Sequence, residues 1–150
     1  MDDRIEKHIE LKAPVSRVWR ALTDHNEFGT WFRARLDGPF EIGKATRGPS
    51  TYPGYEHVQF EIVVTRLEPE RLFAFTWGPY AVDPKDDSFN DPPTTIEFTL
   101  EASAGGTLLR LVEQGYDKFP SDRRSIVFRD NEGGWAIQME NITRHVEHAS

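Results

Sequence analysis

The sequence predicts an α+β fold. It has one curved antiparallel sheet of about six or seven strands, two short helices after the first strand, and a long C-terminal helix. Three observations predict it. Apolar residues alternate with polar ones through the middle of the chain, the mark of half-buried strands. Apolar residues recur at three and four near both ends, the mark of amphipathic helices. Turn signals, Glu68-Pro69-Glu70 and Ala104-Gly105-Gly106-Thr107, separate the strand-like runs by only a few residues.

The elements follow in order. Ile5, Ile9 and Leu11 share one parity, so Ile5 to Leu11 reads as a half-buried strand that Ala13-Pro14 stops. Pro14 suits the first turn of a helix. Val15, Val18, Trp19 and Leu22 then mark its apolar face. Thr23 or Asp24 caps a second short helix whose apolar side is Phe28, Trp31 and Phe32. Gly38-Pro39-Phe40-Glu41-Ile42-Gly43 sets turn residues around a short apolar piece. From Tyr55 to Leu67, Val58, Phe60, Ile62 and Val64 face one way. Phe73, Phe75 and Trp77 alternate after the turn, and Ile96, Phe98 and Leu100 do so after Pro92-Pro93. Leu109, Leu111 and Glu113 share the inward parity of the next strand. The tail is predicted helical from about Asn131 to Glu147, with Trp135, Met139, Ile142 and Val146 as its stripe.

Composition narrows the function. The chain has 150 residues, which is one domain by length. Its 18 Lys+Arg stand against 25 Asp+Glu, a formal net charge of −7. That balance argues against nucleic acid or an anionic membrane as partner, because both need a basic face. No apolar run is long enough to span a bilayer. The acidic start lacks the apolar core of a secretory signal, so a cytoplasmic location is expected. With no cysteine, there is no disulfide, thiolate metal site, iron–sulfur cluster or cysteine nucleophile. Gly-x-Ser-x-Gly and phosphate-loop patterns are absent as well. Neither a cofactor nor a metal is expected.

Several motifs, in order, resemble one superfamily. Ala13-Pro14-Val15-x-x-Val18-Trp19-x-Ala21-Leu22-Thr23-Asp24 with Phe28-x-x-Trp31-Phe32 resembles the opening of START-like (SRPBCC) proteins, the helix-grip fold of the birch-pollen allergen. Leu67-Glu68-Pro69-Glu70-Arg71-Leu72-Phe73-x-Phe75-x-Trp77 is similar to a strand-turn-strand of homologues of the activator of the heat-shock chaperone ATPase. Phe98-x-Leu100-Glu101, Gly106-Thr107-x-Leu109 and Gly115-Tyr116 resemble the following hairpin, and Gly133-Gly134-Trp135 with Met139-Glu140-Asn141-Ile142 resembles the last helix. Trp77-Gly78-Pro79-Tyr80 and Asn131-Glu132-Gly133-Gly134-Trp135 resemble small stand-alone bacterial members. The resemblance implies a hydrophobic cavity between sheet and C-terminal helix; a monomer or homodimer is expected. It does not imply one reaction, since such folds include lipid carriers, hormone receptors, polyketide cyclases and the chaperone-activating domain.

Ten Phe, four Trp and four Tyr supply enough rings both to fill a core and to line such a cavity. The candidate wall is Trp31, Phe32, Phe60, Phe73, Phe75 and Trp77 with Tyr80, Leu111, Tyr116, Trp135 and Met139. Plain core packing is the competing reading for each ring. Trp77, Tyr80 and Tyr116 are placed near loop mouths, where an indole N–H or a hydroxyl orients a ligand. Glu113 is the weak catalytic candidate. An inward carboxylate at the end of an apolar row is costly unless paired, and it is the group that acid–base work or a polar anchor needs. Its alternative is the rim, or a pair with an arginine such as Arg129.

The Gly78–Pro93 stretch, with Asp83, Asp86, Asp87 and Asp91, lacks calcium-loop spacing and reads as a lid or a solvated acidic loop. His145 and His148 have no third ligand in view, and Arg123-Arg124 reads as solvated. The expected function is binding of an apolar or aromatic small molecule. A cyclase-like or hydrolase-like enzyme using Glu113 is one alternative. A module stimulating a chaperone ATPase in the stress response, with the chaperone as partner, is the other.

Overall fold

The computed structural model describes residues 4–79 and 92–148. β1 (Arg4–Leu11) leads into α1 (Val15–Thr23) and α2 (His25–Phe32). Five strands follow: β2 (Ala45–Pro49), β3 (Gln59–Glu68), β4 (Leu72–Pro79), β5 (Thr94–Ser103) and β6 (Gly106–Gln114). A 3-10 turn (Tyr116–Lys118) precedes α3 (Ser121–His148). The six strands form one sheet in the order β1-β6-β5-β4-β3-β2, every pairing antiparallel. This is the expected α+β architecture, at the lower of the two expected strand counts.

Local chemistry sets the junctions. The Pro14 carbonyl accepts the first bonds of α1, from Arg17 N at 3.0 Å and Val18 N at 3.2 Å. Proline at this point loses no donor that the helix needs. The Asp24 carboxylate caps α2, accepting from Asn26 N at 2.9 Å and Glu27 N at 3.1 Å. Asp24 rather than Thr23 is therefore the cap. The β5–β6 hairpin closes through Ala104-Gly105, with Ser103 opposite Gly106. Gly106 has φ 147°, and a Cβ there would sit 2.2 Å from the Leu11 carbonyl oxygen. Only glycine lets the hairpin lie this close to the end of β1. Thr107 fixes the approach by donating its hydroxyl to the Ala13 carbonyl at 2.8 Å.

Two boundaries differ from the sequence reading. Strand β3 starts at Gln59 rather than near Tyr55, because Tyr52, Tyr55 and Val58 are joined by backbone turn bonds of 2.9 Å. Helix α3 starts ten residues before Asn131. Gly133-Gly134 reads as a helix start in the sequence but lies inside the helix. The first half of α3 also carries a weak apolar pattern, with Ile126 half exposed. Gly133 is exposed, and a Cβ there would meet nothing. Gly133→Ala is accordingly expected to stabilise the protein by about 0.5–1 kcal/mol, the difference in helix propensity. The melting temperature should then rise by about 1–4 °C in a scanning calorimeter. A fall would show that the glycine serves a bend.

The core lies between the inward face of the sheet and the three helices. Ile5, Leu11, Ile62, Phe73, Phe75, Ile96, Phe98, Leu109 and Leu111 come from strands, and Phe28, Trp135 and Ile142 from helices. The expected stripe Trp135, Met139, Ile142, Val146 is buried throughout. Phe28 meets Trp31, Phe32, Phe40 and Phe75 with ring centroids 4.9–6.2 Å apart.

Polar contacts join the helices. Glu27 accepts from Arg17 at 2.8 Å, Arg20 at 2.7 Å and His145 at 2.9 Å, linking α1, α2 and α3. His145 is therefore packed on a carboxylate and not on an open face. Burial pushes the Glu27 carboxyl up, but the His145 and Arg17 hydrogen bonds, with the Arg17 charge and the Arg20 bond, outweigh it and hold the pKa below the ordinary value. Because the folded pKa is the lower one, this contribution is present above the unfolded pKa and lost as pH falls through the folded one. Urea titrations of the native protein and Glu27→Gln should therefore differ at about pH 7 and converge as the pH falls below the ordinary carboxylate range. A constant gap would mean that Glu27 is not the titrating group.

Candidate binding cleft

The inward parity of the strands places three polar groups together. Trp77 on β4 pairs with Thr94 on β5, and Ile96, two residues on, pairs with Glu113 on β6. Trp77, Thr94 and Glu113 thus share the concave face as near neighbours. On α3, Asn131 and Trp135 are four residues apart and so present the same face to them. Glu113 is fully buried. Its Oε2 accepts from the Trp77 indole N–H at 2.8 Å and the Thr94 hydroxyl at 2.5 Å. Its Oε1 accepts from the Trp135 indole N–H at 2.8 Å. The Asn131 amide lies 3.5 Å from both oxygens and donates to the Tyr116 hydroxyl at 2.8 Å.

Tyr116 is fully buried too, a correction to its expected place at a loop mouth. Burial, then the neighbouring Glu113 charge and hydrogen bond, hold its hydroxyl protonated far above the ordinary phenol range; the Asn131 bond only partly offsets them. Among the described residues no cation contacts Glu113, and Arg129 is exposed. The burial cost of this carboxylate is offset by neutral donors alone, two of them indoles.

Those indoles are also the floor of a cleft of about 510 Å³. Phe32, Phe60, Trp77 and Trp135 form its aromatic wall, joined by Val58, Gly134 and Ile137. Phe60 and Trp77 stack at 5.7 Å with planes 9° apart, and Trp77 and Trp135 approach at 5.5 Å. Polar residues stand around these rings: Arg33, Ser50, Tyr52 and Tyr55 from α2 and the β2–β3 loop, and Asp130, Asn131 and Gln138 from α3. Tyr52, Tyr55 and Ile137 are exposed, so the cleft opens to solvent on their side. Its size falls within the range of small-molecule sites.

The candidate residues divide. Phe32, Phe60, Trp77 and Trp135 come together on the cleft wall. Trp31, Phe73, Phe75, Leu111, Tyr116 and Met139 are buried and lie off the wall, packed in the core. Trp31 has its own structural task, donating its indole N–H to the Ala21 carbonyl at 2.8 Å. Glu113 stands behind the wall, its oxygens filled by donors, rather than on it. Tyr80 and most of the stretch expected to be a lid lie outside the described residues. Arg124, expected to be solvated, donates to the carbonyls of Tyr116, Asp117 and Phe119 and so pins the turn before α3.

The sequence reading did not single out Thr94, Asn131, Arg33, Ser50, Tyr52, Tyr55 or Gln138 for the site. Two of them carried a signal. Thr94 is two residues before Ile96 on the inward row, and Asn131 extends the α3 stripe by four.

Residues 12–147 match the family described as Activator of Hsp90 ATPase homolog 1-like protein. The chain belongs to this family. Solved structures share its helix-grip, START-like fold. DynU16, a protein of the dynemicin biosynthetic locus, is 24% identical with a TM-score of 0.77; all of this chain is covered, but only 49% of DynU16, so the chain spans about half that protein's length. MLL2253 from Mesorhizobium loti is 22% identical over 98% of each chain, with a TM-score of 0.78. The Aha1 dimer from Colwellia psychrerythraea is 18% identical over 98% of each chain, with a TM-score of 0.70. At these identities the likeness is one of fold. No curated protein matches significantly. Among the described residues no helix is long and apolar enough to cross a membrane.

Proposed function

We propose that this family member binds an apolar, ring-bearing small molecule in the cleft between α2, β3, β4 and α3. The observation that carries the reading is the aromatic wall itself: four rings from four elements around about 510 Å³, with polar groups at its edges. Burying a planar ligand against such rings supplies affinity without directional chemistry. The enzyme alternative finds less support, because the Glu113 oxygens are already occupied. The family description favours a second reading, stimulation of a chaperone ATPase. A flat ATPase rate on adding the protein to its host's chaperone would dispose of it.

Gly134 gives a clean test of the first reading. It lines the cleft, and a Cβ built there meets no atom within 4 Å. Gly134→Leu should keep the fold, since leucine is the better helix former, while its side chain projects into the cleft. The neutral dye N-phenyl-1-naphthylamine is expected to bind the native protein with saturable, enhanced fluorescence and a Kd on the order of micromolar. Gly134→Leu should weaken that binding at least about tenfold, with the far-ultraviolet circular dichroism unchanged. Dye binding that ignores the substitution would place the ligand elsewhere.

A further inference from the structure

The polar residues of the cleft are not spread evenly. Arg33 is the one cation on the wall among the described residues, and no carboxylate pairs with it among them. Its guanidinium instead lies 5.4 Å from the centroid of the Tyr52 ring, which holds the head group at the cleft edge while leaving its N–H groups for another acceptor.

The backbone is fixed there as well. Arg33 ends α2 in the left-handed region, φ 69° and ψ 60°, a conformation that glycine would adopt at lower cost. It is held by two bonds: Arg33 N donates to the Gly29 carbonyl at 2.8 Å, and the Arg33 carbonyl accepts from Thr51 N at 2.9 Å. The second bond sets Ser50 and Tyr52 beside it. Ser50 is buried, and its hydroxyl oxygen accepts from Tyr52 N at 3.1 Å. No described residue accepts the hydroxyl proton. Among the described residues, one edge of an aromatic cleft thus gathers a guanidinium without a carboxylate and a buried hydroxyl with a hydrogen bond to give.

Donors gathered without an acceptor define the missing partner. We propose that the ligand of this cleft is an aromatic or apolar anion, its carboxylate or sulfonate docked on the guanidinium of Arg33 and the hydroxyl of Ser50, its ring system against Phe60, Trp77 and Trp135. The inference rests on the cleft reading above and adds a charge requirement to it. Asp130, the one anion on the wall among the described residues, belongs to α3, a different element from Arg33 and Ser50. It disfavours a second negative group and so limits where the ligand's anion can sit.

Two dyes separate the two claims. 1-Anilinonaphthalene-8-sulfonate and N-phenyl-1-naphthylamine share one ring skeleton and differ by the sulfonate. The native protein is expected to bind the sulfonate about five- to tenfold more tightly, as a charge-assisted contact at a partly exposed site provides. Raising the salt should erode that preference. Arg33→Met should abolish it, so that both dyes bind that variant with equal affinity; Arg33→Lys should restore part of it. Asp130→Asn should widen the preference for the sulfonate over the neutral dye. Equal affinities for both dyes in the native protein, or a preference that survives Arg33→Met, would overturn the anion proposal while the cleft stands. Failure of both dyes to bind would remove the cleft reading and this inference with it.

Discussion

Glu113→Ala is expected to lower the folding free energy by about 3–5 kcal/mol, read from urea denaturation at neutral pH. Two terms oppose each other. Removing a carboxylate from a fully buried site relieves a desolvation cost. It also strands the indole N–H groups of Trp77 and Trp135 and the hydroxyl of Thr94, which donate to its two oxygens. Each buried donor left without an acceptor costs about 1–3 kcal/mol, so three of them outweigh one solvation term that is already offset in the native state. Glu113→Gln separates shape from acceptor capacity. It fills the same volume but offers one oxygen where two are used, so its loss should be about half that of the alanine variant. The tryptophan bands of the near-ultraviolet circular dichroism should weaken in both, because the carboxylate is what fixes the two rings. A loss under about 1 kcal/mol for Glu113→Ala would show that water replaces the carboxylate at little cost.

This network also marks how far the sequence could be read. The inward position of Glu113 was legible, because a period-two row cannot place Leu109 and Leu111 inside without taking Glu113 along. Its partners were only half legible. Thr94 and Trp77 lie on their own inward rows, but no pattern within one strand gives the register that brings them opposite Glu113. That register follows from pairing across β4, β5 and β6. The alternative of a pair with an arginine such as Arg129 fails for a related reason. Composition offers many arginines and says nothing of the indole N–H groups that α3 brings down onto the sheet.

The fold was more legible than the cleft. Strand alternation and the α3 stripe are properties of short windows, whereas the cleft wall joins Phe32, Phe60, Trp77 and Trp135 from four elements. Phe73 and Phe75 show the difference. They share a strand and a parity with Trp77, yet they fill the core, because Phe28 of α2 packs on Phe75 while Trp19 of α1 and Phe40 pack on Phe73, and Trp77 at the end of β4 reaches the cleft. Arg33 and Tyr52 sit where loops meet, and no periodicity reaches them.

Trp135→Ala is the second large effect, and it tests whether wall and network are one unit. Trp135 is buried and meets Phe32, Trp77 and Phe98 with ring centroids 5.5–6.1 Å apart. Deleting a buried tryptophan ring removes its burial energy and leaves a cavity, together about 3–5 kcal/mol. It also takes one donor from Glu113. The cost should therefore not add to that of Glu113→Ala. In the double variant the Trp135 donor is absent, so it cannot be stranded, and the Glu113 oxygen it served is absent too. A double-mutant cycle by urea denaturation is expected to give a coupling of about 1–3 kcal/mol, the double variant being more stable than the sum predicts. Trp135→Phe keeps most of the packing and removes only the N–H, so its own coupling with Glu113→Ala should approach the same value while its single cost is smaller. Additivity within about 0.5 kcal/mol would mean that the indole and the carboxylate merely lie side by side, and that the cleft wall is held by ring packing alone.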